Sequence, residues 1–328
     1  MLLSTLFFLA LGLLLFLSGL RLLADGLEFL SGSSFAAALQ YITQNRFSAF
    51  CCGLFFTALT QSSSLTTVVM VGMAESGLLE LKTAIAIIAG ANVGTTVTGQ
   101  LLSFQLSDFA WPLLMVGIVL MLYRNRYTRN AGRALVGFSV LLFGLRTMSV
   151  SLKPLAKMSF FISMIHQASV HPILGIAAGV VITSLVQSSS AVVGMVLALA
   201  ASNAISLPVG FAVVIGADIG TCVTSLIAAI GSGVSARRAA IAHLLFNFIS
   251  VLLIMPIFPQ FIRIAALSAD SLSRQLANAH TLYNLSGAIL LLLFLTPFEI
   301  LVEKLVKANH TEKKRIYDFF SELIRKWF

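Results

Sequence analysis

Charge is scarce in this sequence. Of 328 residues only 10% are Asp, Glu, Lys or Arg, while 58% are hydrophobic and the mean hydropathy is +0.98. A water-soluble domain carries about a quarter charged residues, so the composition excludes a surface that faces water all round. Cysteine is scarcer still. Cys51, Cys52 and Cys222 are odd in number and lie in apolar sequence, which excludes a disulfide framework and leaves them as small packing residues. No cluster of Cys and His has the spacing of a transition-metal site. The serine runs lack a Gly-x-Ser-x-Gly elbow, and no His or carboxylate stands beside them as a base, so a membrane serine enzyme is disfavoured. The net charge of +9 does not imply a nucleic-acid partner, because it is gathered in short connections and at the chain end. Arg124, Arg126, Arg129 and Arg133 share one connection, Arg237 and Arg238 another. Lys304, Lys307, Lys313, Lys314, Arg315, Arg325 and Lys326 follow near the C-terminus. That is how cytoplasmic loops are marked by positive charge.

What the chain has in abundance is apolar runs. A membrane helix takes roughly 20 mostly apolar residues, and residues 2–23, 81–104, 109–123, 133–152, 207–230, 239–261 and 278–298 are expected to cross. The first of these is read as a membrane helix and not as a cleaved leader. Its start lacks Lys and Arg, and Gly12 with Gly19-Leu20-Arg21 recurs as Gly137 with Gly144-Leu145-Arg146.

Other self-matches keep a common register. Thr57-Ala58-Leu59-Thr60-Gln61-Ser62-Ser63-Ser64 recurs as Thr183-Ser184-Leu185-Val186-Gln187-Ser188-Ser189-Ser190, an offset of 126. Gly90-Ala91-Asn92-Val93-Gly94-Thr95-Thr96 recurs as Gly216-Ala217-Asp218-Ile219-Gly220-Thr221-Cys222 at the same offset of 126. The chain is therefore a duplication. The expected fold is an all-α polytopic membrane protein of inverted-topology repeats, each with a re-entrant helical hairpin. Repeat one is residues 1–130 with its hairpin at about 35–78, and repeat two is 131–262 with its hairpin at about 171–204. A further helix follows in 263–299, then a basic amphipathic tail in 300–328 on the inner membrane surface. Three crossings per repeat invert the second copy, as in many secondary transporters. A basic cytoplasmic tail then places the N-terminus outside.

Gln61-Ser62-Ser63-Ser64 interrupts an apolar run, and irregular backbone at membrane depth survives only where protein or a polar cavity surrounds it. A hairpin tip there begins its second arm with free N–H groups and the positive end of a helix dipole, which is an anion site. Hydroxyl and carbonyl oxygens at the same break suit a hard cation. Asn92, Thr95 and Thr96 fall on one helix face and offer a second bank of oxygens, matched by Asp218, Thr221 and the sulfur of Cys222. The glycines of this motif are expected to loosen the helix. His243 with Asn247 and His280 with Asn284 repeat an i, i+4 pair whose expected role is hydrogen bonding between helices.

Paired Gln-Ser-Ser-Ser runs, each followed by Gly-Ala-(Asn/Asp)-x-Gly-Thr, resemble the type II sodium/phosphate cotransporter family over roughly residues 10–300. The resemblance implies phosphate as substrate and sodium as the coupling ion, with no other cofactor. It implies phosphate binding by Gln61, Ser62, Ser63, Gln187, Ser188 and Ser189. Sodium binding is implied for Ser64, Thr66, Asn92, Thr95, Thr96, Ser190, Asp218 and Thr221. It also implies a multi-pass protein of the cytoplasmic membrane, with the lipid bilayer as its surroundings and a homodimer left open. Another small anion, a channel or a membrane scaffold stays as the alternative. The chain departs from the family at Val192, where Thr is usual, at Asp218 for Asn and at Cys222 for Thr. Asp218 is expected to compensate the lost ligand with charge or to bring a proton into the coupling.

Overall fold

The computed structural model describes residues 2–31, 45–104, 106–155 and 158–308. Among them the secondary structure is entirely helical. The elements are α1 (Leu2–Ser31), α2 (Arg46–Thr60), α3 (Ser63–Glu75), α4 (Leu81–Ser103), α5 (Ala110–Met121), α6 (Arg126–Leu155) and α7 (Ser159–Val170). They continue as α8 (Pro172–Val186), α9 (Ser189–Ala201), α10 (Leu207–Ala228), α11 (Val234–Ile254), α12 (Phe258–Ala266), α13 (Leu272–Leu293) and α14 (Leu295–Leu305). Six helical stretches of the described chain are long and apolar enough to cross a bilayer: Ser4–Leu30, Leu81–Ser103, Arg126–Pro154, Leu207–Ala228, Val234–Ala266 and Leu272–Leu293.

Two expectations need correction. Residues 109–123 do not form a full span, because α5 has 12 residues. At 1.5 Å per residue that is about 18 Å against a hydrocarbon core of about 30 Å. Nor do the glycines of the 90–96 segment loosen α4, which runs unbroken from Leu81 to Ser103. They serve close approach. A Cβ on Gly94 would lie 2.5 Å from the Leu54 carbonyl oxygen and 2.9 Å from the Thr57 Cβ, so α2 can lie against α4 only where side chains are absent. The second copy repeats this, with a Cβ on Gly220 meeting Val180 O at 2.7 Å and Thr183 Cβ at 2.8 Å.

The two motif helices occupy the middle of the molecule. Within their apolar windows α4 is 83% buried and α10 61%, against 28% for α1. At the periphery α1 and α6 pack through backbone. A Cβ on Gly12 would lie 3.0 Å from Gly144 O, one on Gly19 2.6 Å from Gly137 O, and one on Gly26 2.8 Å from Asn130 O. Residue numbers fall on α6 as they rise on α1, so the two helices are antiparallel.

Packing also crosses between the repeats. α3 of the first copy lies against α10 and α11 of the second, and α9 of the second lies against α4 of the first. Ahead of α8 the chain turns by 116° between α7 and α8. Pro172 opens α8, and the residue before a proline is pushed out of helical geometry, as His171 is at φ −122°, ψ 88°. The basic connections are clamped: Arg133 pairs with Asp25 at 2.8 Å and Arg238 with Glu303 at 2.6 Å. Of the expected basic tail, residues 309–328 lie outside the described residues, as do 32–44 at the start of the first expected hairpin.

Candidate functional site

Both serine runs sit at helix breaks of the same design. α2 ends on Gln61, which is left-handed at φ 54°, ψ 25°, and α8 ends on Gln187 at φ 59°, ψ 24°. The next residue is extended and caps the following helix. Ser62 (φ −145°) accepts from the Leu65 N–H at 3.2 Å, and Ser188 (φ −149°) from the Ala191 N–H at 3.2 Å. A left-handed residue followed by a serine cap closes one helix and opens another within two residues. The N–H groups of Ser63 and Ser64, and those of Ser189 and Ser190, then stand in the first turn of α3 and α9 with no carbonyl one turn behind them.

Each glutamine is tethered to its own motif helix. Thr98 on α4 donates to Gln61 Oε1 at 2.6 Å, and Thr224 on α10 reaches Gln187 Oε1 at 3.4 Å. The Gln61 amide donates to Ala58 O and the Gln187 amide to Ser184 O. The copies differ in enclosure: Gln61 is 5% exposed, while Gln187 lies open. They also differ one turn further on. Thr66 lies 2.6 Å from the Thr57 hydroxyl. Val192 stands at the place of Thr66 in the second copy, and there the buried hydroxyl of Thr183, counterpart of Thr57, has no partner.

The hydroxyls of Ser63, Ser64, Ser189 and Ser190 make no hydrogen bond to protein among the described residues. Those of Thr95, Thr96 and Thr221 donate backwards along their own helices, to Ala91 O at 3.1 Å, Val93 O at 2.8 Å and Ala217 O at 3.0 Å. A hydroxyl whose proton is so committed still turns oxygen lone pairs outward.

The remaining polar groups knit helices together. Asn92 donates to Asn247 at 3.1 Å. Asp218 receives His280 Nε2 at 3.1 Å on both carboxylate oxygens and Asn284 Nδ2 at 2.9 Å. Asn247 also reaches the Cys222 sulfur at 3.3 Å, and His243 Nδ1 lies 3.1 Å from Ser225 Oγ. The two His-x-x-x-Asn pairs thus bridge α11 and α13 to the two motif helices, and all four side chains are buried.

The sequence profile described as Na+/Pi-cotransporter matches twice, over residues 15–150 and 140–268, one match for each copy. This chain belongs to the Na+/Pi-cotransporter family. Among similar proteins, the uncharacterized YqeW of Bacillus subtilis is 30% identical over 74% of this chain and 79% of its own length. YjbB of Escherichia coli, whose name assigns it provisionally to inorganic phosphate export, is 28% identical over 73% of this chain and 44% of its own length. Human sodium-dependent phosphate transport protein 2B is 37% identical over 26% of this chain and 14% of its own length. No solved structure matches the chain.

For this Na+/Pi-cotransporter family member, the structure puts Gln61 to Ser64 and Gln187 to Ser190 at the two helix breaks. It puts Asn92 and Asp218 on the motif helices, already paired with α11 and α13. Thr57, Thr98, Thr183 and Thr224 were absent from the expected set, although each lies inside or directly after a repeated motif. That position in the duplication was the signal that could have found them.

Proposed function

We propose that the chain carries inorganic phosphate across the cytoplasmic membrane, coupled to sodium, by alternating access. The observation that carries this reading is the pair of helix breaks at Gln61 and Gln187. Each presents first-turn N–H groups, and the hydroxyls of Ser63, Ser64, Ser189 and Ser190 make no hydrogen bond to protein among the described residues. Such donors at a helix N-terminus suit a tetrahedral oxyanion. Phosphate is assigned to Gln61, Ser62, Ser63, Gln187, Ser188 and Ser189. Sodium is assigned to Ser64, Thr66, Ser190, Thr95, Thr96, Thr221, Asn92 and Asp218, whose oxygens are the hard ligands a small cation takes. Asn92 fits, since its amide nitrogen is spent on Asn247 and its carbonyl oxygen is not.

The two breaks read as tips of re-entrant hairpins in inverted repeats. Support comes from α1 and α6, the equivalent first helices of the two copies, which run antiparallel. Gly12 meets Gly144 and Gly19 meets Gly137, the reciprocal contact that a twofold relation demands. Cross-packing of α3 on α10 and of α9 on α4 has the same reciprocity. The reading is of a carrier and not an enzyme, and the direction of net flow follows the gradients imposed on it.

The test is radiolabelled phosphate flux into proteoliposomes with and without an inward sodium gradient, for wild type, Ser62→Ala and Ser188→Ala. Sodium-driven, saturable uptake that falls about tenfold or more in either variant is expected, as loss of a hydrogen bond to a charged ligand implies. Sodium-independent flux indifferent to both substitutions would count for a channel or another substrate.

A further inference from the structure

A cavity of about 470 Å³ lies away from the serine breaks, between the start of α1 and the end of α6. Its polar lining is Ser4, Thr5, Arg146, Thr147 and Ser151. Phe8 and Val150 complete it on the apolar side, and both are exposed.

Arg146 is exposed and lines this cavity, and among the described residues it makes neither an ion pair nor a hydrogen bond. A guanidinium near the end of a membrane helix snorkels to the head-group region, where anionic oxygens are its natural partners. Here the cavity holds no acidic side chain. Lys153, seven residues on and so on nearly the same face, adds to the positive field.

A second observation points the same way. Thr5 is 7% exposed, lines the cavity, and its hydroxyl makes no hydrogen bond to protein among the described residues. Thr147 and Ser151 donate to helix carbonyls at 2.8 and 2.7 Å, and a hydroxyl rotor can turn to a stronger acceptor. The set is therefore one planar fork of N–H donors with hydroxyl groups around it. A guanidinium fork matches the oxygens of a phosphate. Depth agrees with this. The span of α1 starts at Ser4 and that of α6 ends at Pro154, so the cavity opens where lipid head groups lie.

We propose that this cavity binds a phosphate-type oxyanion, supplied by a phospholipid head group or by free inorganic phosphate on its way to the serine breaks. Two measurements separate the sources. In the first, the thermal unfolding midpoint of the detergent-solubilised full chain is followed with added phosphatidylglycerol or phosphatidylcholine. If a lipid occupies the site, phosphatidylglycerol raises the wild-type midpoint more than phosphatidylcholine does, and Arg146→Gln abolishes the difference. In the second, phosphate uptake is measured in phosphatidylcholine vesicles. If free phosphate is the ligand, Arg146→Gln raises the KM about tenfold or more with little change in kcat, as loss of a charge-assisted hydrogen bond implies.

Arg146→Lys keeps the charge and part of either effect. Arg21→Gln, at the counterpart arginine of α1, controls for a general loss of positive charge. Lipid preference and phosphate KM both unaltered in Arg146→Gln would overturn the proposal, as would equal effects of Arg21→Gln. The uptake arm rests on the transport reading: absence of sodium-driven uptake by wild type removes that reading and leaves the unfolding arm intact.

Discussion

Gln61 and Gln187 hold a backbone conformation that costs a residue with a Cβ about 1–2 kcal/mol. Glycine would adopt it freely, which separates their backbone role from their amide role. Gln187→Gly is expected to leave stability unchanged or raise it by up to about 1 kcal/mol, because its bond to Thr224 is long and exposed. Gln61→Gly loses a 2.6 Å bond and orphans the buried Thr98 hydroxyl, so a net cost of about 1–2 kcal/mol is expected. Thermal unfolding of both variants checks the contrast, and phosphate uptake should fall in both. A second asymmetry can be exchanged between the copies. Thr66→Val should strand Thr57 and cost about 1–3 kcal/mol, whereas Val192→Thr should give the orphaned Thr183 a partner at little or no cost. The Gln-Ser-Ser-Ser runs at the breaks are legible in the sequence, but not which hydroxyls are committed. Thr57 and Thr183 hold equivalent places in the two copies, and their fates differ with residue 66 or 192, a turn beyond the break.

At the scale of elements, the glycines do different work from the one their composition suggested. In α4 and α10 they were read as weak points, yet both helices are continuous and the glycines admit a neighbouring backbone. Sequence gives a helix its glycines but not the helix that lies on them. Gly137→Ala should therefore destabilise by about 1–3 kcal/mol through overpacking against α1. Gly72→Ala, in the interior of α3 with nothing within 4 Å of the added carbon, should stabilise by about 0.5–1 kcal/mol. Unfolding midpoints in detergent measure both, and equal effects would mean that α1 and α6 are not in backbone contact. α5 was misjudged for the converse reason, since hydropathy scores apolar residues and is blind to a helix that stops at Met121.

For the whole molecule, the duplication was legible in the constant offset between motifs, while the way the halves hold one another was not. Each serine-capped helix packs on the other copy's motif helix, and α13 packs on α4 of the first copy. Neither half therefore contains its own completed interior. Expressed alone, residues 1–130 or 131–328 should fail to accumulate as folded protein; expressed together, they should copurify and recover phosphate uptake. The charge at Asp218 is tested in the intact chain. Asp218→Asn keeps a polar group for His280 and Asn284 while removing the charge, and should shift the sodium or pH dependence of uptake. Unchanged profiles for both would show that this carboxylate serves packing alone.

The glycines of α1 recur at 12, 19 and 26 and those that α6 turns toward it at 137 and 144, one every seven residues. Seven residues bring an α-helix back to within about 20° of its starting direction, whereas a single added residue swings everything beyond it by about 100°. Register along this seam is consequently quantised. Descendants of this chain can lengthen or shorten either helix between its glycines only in whole steps of seven, so gaps in that stretch should be multiples of seven or absent.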